Sequence, residues 1–300
     1  MTPRKSNRFM LLMFLWFIIA SVILVTLMDF VTLSPGMGLF AMQVLGFGIP
    51  VAVALWLNRG RIKDILPMQK LGILNILMIF GMTITLVPVL TLVATISQLF
   101  FTDYITETAN EIVFEYNLLW ALFFIGIVPS FFEELVFRGV IFSGYKKAPV
   151  IQAALVNGLF FGIIHMNMQQ FFFTAVAGFV WFLFVYYTRS IWAGIWAHII
   201  NNTIQVFIAF FVMNAEDVAY DYYTPEISSA MAMLTLGIFA AFSLGLFLAI
   251  YTPFKVWNGR RNVQVNADIE TVEERQPIIT KSLVIVTILF AMFMILMEVV

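Results

Sequence analysis

Long apolar runs alternate with short polar breaks along almost the whole chain. Nine runs approach the roughly 20 residues needed to cross a hydrocarbon core as a helix: about 9–29, 37–57, 72–98, 117–138, 149–165, 170–188, 191–213, 229–252 and 281–299. None shows the period-2 alternation of a barrel strand, and lipid admits only helices or closed barrels. The pattern predicts an all-α polytopic transmembrane bundle of about eight to nine helices. The run from Phe9 to Met28 is too long for a signal core and has no small-residue cleavage site after it, so it is read as a retained helix. Pro88 and Pro129 fall inside two of the runs and predict kinks; Pro129 also frees a backbone carbonyl four residues before it.

The polar breaks carry charge in alternation. Arg4, Lys5 and Arg8 precede the first run, Arg59, Arg61 and Lys63 follow the second, Lys146 and Lys147 the fourth, Arg189 the sixth, and Lys255, Arg260 and Arg261 the eighth. The intervening breaks are acidic, with Asp103, Glu107, Glu111 and Glu115 in one and Glu216, Asp217 and Asp221 in another. By the positive-inside rule, this gives nine crossings with a cytoplasmic N-terminus. Residues 254–280 read as a polar cytoplasmic linker. The organisation expected is 1–114 as N-terminal helices, 115–213 as a core carrying the chemistry, 214–253 as an eighth helix, 254–280 as linker and 281–300 as a last helix.

Composition agrees and narrows the function. The 300 residues are 62% hydrophobic and 11% charged, with a net charge of -1, so a multi-pass membrane location is expected and a nucleic-acid partner is not. Cysteine is absent, which removes disulfides and thiolate zinc sites.

Against this apolar background, three segments carry polar groups: FEELVFRG at 132–139, FGIIH at 161–165 and WAHIINN at 196–202. They hold both histidines of the chain. Ionisable groups inside a membrane are expensive, so they point to function by default. Glu134 and Arg138 are four apart and share a helix face, which suits an intrahelical ion pair. Glu133 lies about 100° round from Glu134 and is free to face the bundle. Phe161 and His165, and His198 and Asn202, are also spaced by four. Asn201 is the competing amide, and the spacing favours Asn202. A carboxylate beside imidazoles in an apolar surround suits proton abstraction from water, with Glu133 as base and His165 orienting that water. His198 and Asn202 supply N–H donors for an oxyanion.

The EExxxR, FxxxH and HxxxN stretches resemble the three signature motifs of the CPBP family, the CAAX proteases and bacteriocin-processing or immunity-type proteases also called Abi. The resemblance covers roughly 115–213. It implies an intramembrane endopeptidase in which Glu133 and His165 activate water, His198 and Asn202 hold the oxyanion, and Glu134, Arg138 and Phe161 support the site. The implied partners are a peptide or protein substrate, in the membrane or at its cytoplasmic face, and the lipid bilayer. No cofactor is expected. Zinc held by Glu133, His165 and His198 is the alternative mechanism, ranked second because neither histidine lies in an H-E-x-x-H helix. The alternative functions are a nonenzymatic membrane immunity or scaffold protein, or a proton-coupled transporter. One geometric tension accompanies the peptidase reading. Loop counting puts Glu133 near the cytoplasmic side and His165 near the far end of its run, so the helix of His165 must be short, tilted or displaced for the two to meet.

Overall fold

The computed structural model describes residues 1–102, 105–219, 229–266 and 277–299, and every described element is helical, without a strand. The helices are α1 (Pro3–Met28), α2 (Pro35–Leu57), α3 (Ile73–Gln98), α4 (Ile105–Glu115), α5 (Leu118–Ile141), α6 (Val150–Ile164), α7 (Met168–Thr188), α8 (Ile191–Ala219), α9 (Ser229–Asn266) and α10 (Lys281–Val299). Starts follow local chemistry. The Thr2 hydroxyl accepts from the Lys5 N–H at the head of α1, Asn117 caps α5 through the Trp120 N–H, and Asn167 caps α7 through the Gln170 N–H. The α7–α8 corner turns on Arg189 in the left-handed region (φ 54°).

All nine expected runs fall on helices. Seven of these, α1, α2, α3, α5, α7, α8 and α9, are long and apolar enough to cross a bilayer, whereas Val150–Ile164 and Lys281–Met297 are shorter apolar helices. Two expectations are corrected. The acidic break after α3 contains a helix, α4. The eighth helix does not end near 252: α9 runs to Asn266, and residues 267–276 of the expected linker lie outside the described residues. The extension has a tertiary cause. Asn75 of α3 and Asn258 of α9 exchange side-chain hydrogen bonds of 3.0 and 2.9 Å, and Phe254 is fully buried, so the helix stays docked beyond Pro253.

Helix association in lipid rests on close packing and interhelical hydrogen bonds rather than on hydrophobic burial. Helix α3 packs against α7, α8 and α9, α6 packs on α7, and α1 on α10. The α6–α7 contact is tight: a Cβ on Gly158 would lie 2.5 Å from the Ala175 carbonyl oxygen, and one on Gly178 2.8 Å from Phe161 Cβ.

The loops expected on one side of the membrane meet one another. Asn7 donates to the Ile278 carbonyl and Thr280 Oγ1 at 2.9 Å each and accepts from the Tyr145 hydroxyl. Burial pushes that phenol up, so it is a donor at neutral pH. Gln69 N–H donates to the Arg189 carbonyl, and Lys146 donates to the Asp64 carbonyl. Across the bundle, Ser34 and Tyr116, from the two breaks expected on the other side, share a hydroxyl hydrogen bond.

Candidate active site

Glu134 and Arg138 form the expected i,i+4 pair, at 2.8 Å, and both are fully buried. Arg138 also donates through Nη2 to the Gly178 carbonyl of α7 at 3.0 Å, and its guanidinium lies 4.6 Å from the Phe161 ring centre. A buried charge persists only when paired and hydrogen-bonded. Here the counter-charge comes from α5, the carbonyl from α7 and the aromatic face from α6. The segment Leu135–Ile141 that carries Arg138 is a π-helical stretch, as is Leu122–Ile127 on the other side of Pro129. Such wide turns re-aim side chains and recur at functional sites.

His198 comes from α8. Its Nδ1 is 3.2 Å from Glu134 Oε1 and its Nε2 is 4.0 Å from Glu133 Oε2. An ionised carboxylate only accepts, so Nδ1 carries a hydrogen toward Glu134. Nε2 is then a lone-pair acceptor in the neutral ring and a donor in the protonated one. The imidazole lies against Trp181, with ring centres 4.3 Å apart at 31°. One turn before His198, Gly194 makes room for the carboxylate, since a Cβ there would lie 2.2 Å from Glu134 Oε2.

Glu133 faces the bundle, as expected. Its Oε1 accepts from Gln43 Nε2 of α2 at 3.0 Å, while its Oε2 is buried with no hydrogen-bond partner. His165 ends α6. Its Nδ1 is 2.7 Å from the Phe161 carbonyl, which can only accept, leaving Nε2 as the free acceptor of a neutral ring. The Phe161 ring touches both imidazoles, at 4.9 Å from His165 and 5.7 Å from His198. Helix α6 is short, its 15 residues rising about 22 Å, and the Phe161 ring is what links His165 at its end to His198.

Asn202, one turn beyond His198 on the same helix, has a partner of its own. Its Nδ2 donates to the Ile125 carbonyl at 3.0 Å. That carbonyl is the one four residues before Pro129, which has no N–H to offer it. Asn201 Nδ2 in turn donates to Asn202 Oδ1 at 3.2 Å. The structure therefore gathers Glu134, Arg138, Phe161 and His198 into direct contact, sets Glu133 Oε2 4.0 Å from His198 Nε2 and His165 one phenyl ring away, and ties Asn202 to the Ile125 carbonyl.

Four participants were not singled out in the sequence: Gln43, Gly178, Gly194 and Trp181. Gln43 carries a readable signal, as the one polar side chain in the run from Pro35 to Leu57. Trp181 is buried in the bundle, whereas Trp192 and Trp196 are 44% and 37% exposed. Among the described residues, no three His, Asp or Glu side chains are arranged to hold one metal ion.

A helical bundle with seven helices long and apolar enough to cross a bilayer and these groups at its centre is a multi-pass membrane protein. Residues 115–204, which contain all three motifs, match the family described as Type II CAAX prenyl endopeptidase Rce1-like, in line with the resemblance those motifs carry. The protein described as "Putative membrane peptidase YdiL" of Bacillus subtilis (strain 168) is 33% identical over 115 residues. That alignment covers 38% of this chain and 44% of the relative, so less than half of the relative's length is spanned. No solved structure matches the chain significantly.

Proposed function

We propose that the protein is an intramembrane endopeptidase that hydrolyses a peptide bond with water activated by Glu133. The observation that carries this reading is the state of one carboxylate. Gln43 holds Glu133 Oε1, and Oε2 is buried, unpartnered and 4.0 Å from His198 Nε2. That separation is too long for a direct hydrogen bond and suits a bridging water.

In this mechanism the water donates one hydrogen to Glu133 Oε2 and is oriented by the free Nε2 of His165. Its oxygen bonds to the carbonyl carbon as Glu133 takes the proton. Protonated His198, held against Glu134, donates from Nε2 to the oxyanion, and Asn202 adds the amide hydrogen that the Ile125 carbonyl does not use. The C–N bond then breaks, and Glu133 returns its proton to the leaving nitrogen. Glu134, neutralised by Arg138, fixes the imidazole. The description of the matched family points to the C-terminal segment of a prenylated protein as substrate class. Processing of a bacteriocin-type peptide is the second class.

The test is turnover of quenched peptides, farnesylated and unmodified, by the purified full-length protein. Glu133→Gln is expected to lower kcat about 10³-fold or more, the scale of a lost general base with its positioned water. A Glu133→Gln protein that cleaves within twofold of wild type would end the proposal.

A further inference from the structure

We infer that Gln43, on a helix outside the segment that matches the peptidase family, is a positioning residue of the active site: it fixes the rotamer of Glu133 and leaves Oε2 as the oxygen that meets water. The inference rests on the endopeptidase reading.

Three observations carry it. The first is the contact itself. Gln43 is 5% exposed, and its Nε2 lies 3.0 Å from Glu133 Oε1. The orientation of the amide is fixed by chemistry, because a carboxylate accepts and only the nitrogen of the carboxamide donates. With one oxygen held, the carboxylate loses its freedom to rotate, and the two oxygens become inequivalent. The Gln43 Oε1 of the same amide is buried without a partner, which leaves a second acceptor beside Glu133 for a hydrogen of water or of a peptide N–H.

The second is the backbone beneath it. Gln43 opens a π-helical turn, Gln43–Gly48, within an otherwise α-helical span. A wide turn is costlier than α-helix and rotates the side chains that follow, so its occurrence under the one polar residue of α2 calls for a local reason. Aiming Gln43 at Glu133 supplies one.

The third is that neighbouring helices hold this turn in place. Trp16 of α1 donates from its indole nitrogen to the Leu45 carbonyl at 2.8 Å, and the Phe17 and Phe47 rings meet edge-on at 5.4 Å. Gly48 lets α2 approach the residue next to the base, since a Cβ there would lie 3.0 Å from the Phe132 ring. Helices α1 and α2 are thus part of the catalytic apparatus, although the match to the peptidase family begins only at 115.

The experiment compares Gln43→Leu, Gln43→Met and Glu133→Gln with wild type in purified full-length protein, reading kcat, KM and thermal midpoint on one quenched peptide. A hydrogen bond to a charged group, when lost, corresponds to roughly a 10- to 100-fold change. Both Gln43 variants are therefore expected to lose kcat in that range with KM within twofold; because Glu133 Oε1 is left buried without its donor the midpoint falls as well, so turnover is read well below the midpoint of every variant. In a Glu133→Asp background, where the shortened acid no longer reaches the amide, Gln43→Leu should add less than a twofold loss. Turnover within twofold of wild type in both Gln43 variants, beside an inactive Glu133→Gln, overturns this inference and leaves the peptidase reading standing. So does a loss of kcat from Gln43→Leu that is as large in the Glu133→Asp background as in the wild type. An active Glu133→Gln overturns the peptidase reading itself, and this inference with it.

Discussion

Replacing Arg138 with Met should cost more stability than any other single change at the centre of the bundle. The guanidinium is fully buried and serves three helices: it pairs with Glu134 at 2.8 Å, donates to the Gly178 carbonyl at 3.0 Å and covers the Phe161 ring at 4.6 Å. Removing one partner of a buried pair leaves the other charge uncompensated, which costs about 3–5 kcal/mol. Removing both costs less, because no unpaired charge remains; Glu134→Gln with Arg138→Met is expected to recover about 2 kcal/mol or more of the single-mutant loss. The assay is reversible unfolding in mixed detergent micelles, followed by far-UV circular dichroism, for wild type, both singles and the double. A single mutant within about 1 kcal/mol of wild type, or a double mutant no more stable than Arg138→Met, would show that the pair does not bear on the stability of the bundle in the way argued.

Two further substitutions test the local geometry. Gly194→Ala places a methyl 2.2 Å from Glu134 Oε2 and must push the carboxylate off His198; activity is expected to collapse, with a loss of about 1–3 kcal/mol in stability, measured by turnover and unfolding together. Asn202→Leu leaves the Ile125 carbonyl without its donor, at about 1–3 kcal/mol. Pro129→Ala returns a backbone N–H to that carbonyl, so the double mutant should regain stability without regaining turnover.

Nine of the ten helices named among the described residues were legible because lipid enforces them: each apolar run must satisfy its own backbone groups. The motif residues were legible for the opposite reason, as charges where charges are costly. Other features depend on partners far along the chain. Gln43 meets Glu133 across 90 residues, and nothing local marks a single glutamine as aimed at an acid. The π-helical stretches leave no trace in a 3.6-residue pattern of uniformly apolar side chains. The extension of α9 past Pro253 rests on Asn75, 183 residues away. The four-residue spacing of His198 and Asn202 put both on one face of α8, yet the proline kink in α5 draws the carboxamide to its orphaned carbonyl.

The brevity of α6 reaches beyond the protein. A full span is about 30 Å of hydrocarbon, and this helix stops about 8 Å short, with Ile151 and Leu155 still turned outward at 53% and 58% exposure. Bilayers answer such a deficit by dimpling, at a fraction of a kcal/mol for each ångström. Such a dimple brings the aqueous boundary closer to the imidazole that closes the helix, so acyl-chain length becomes a setting on how readily solvent reaches His165.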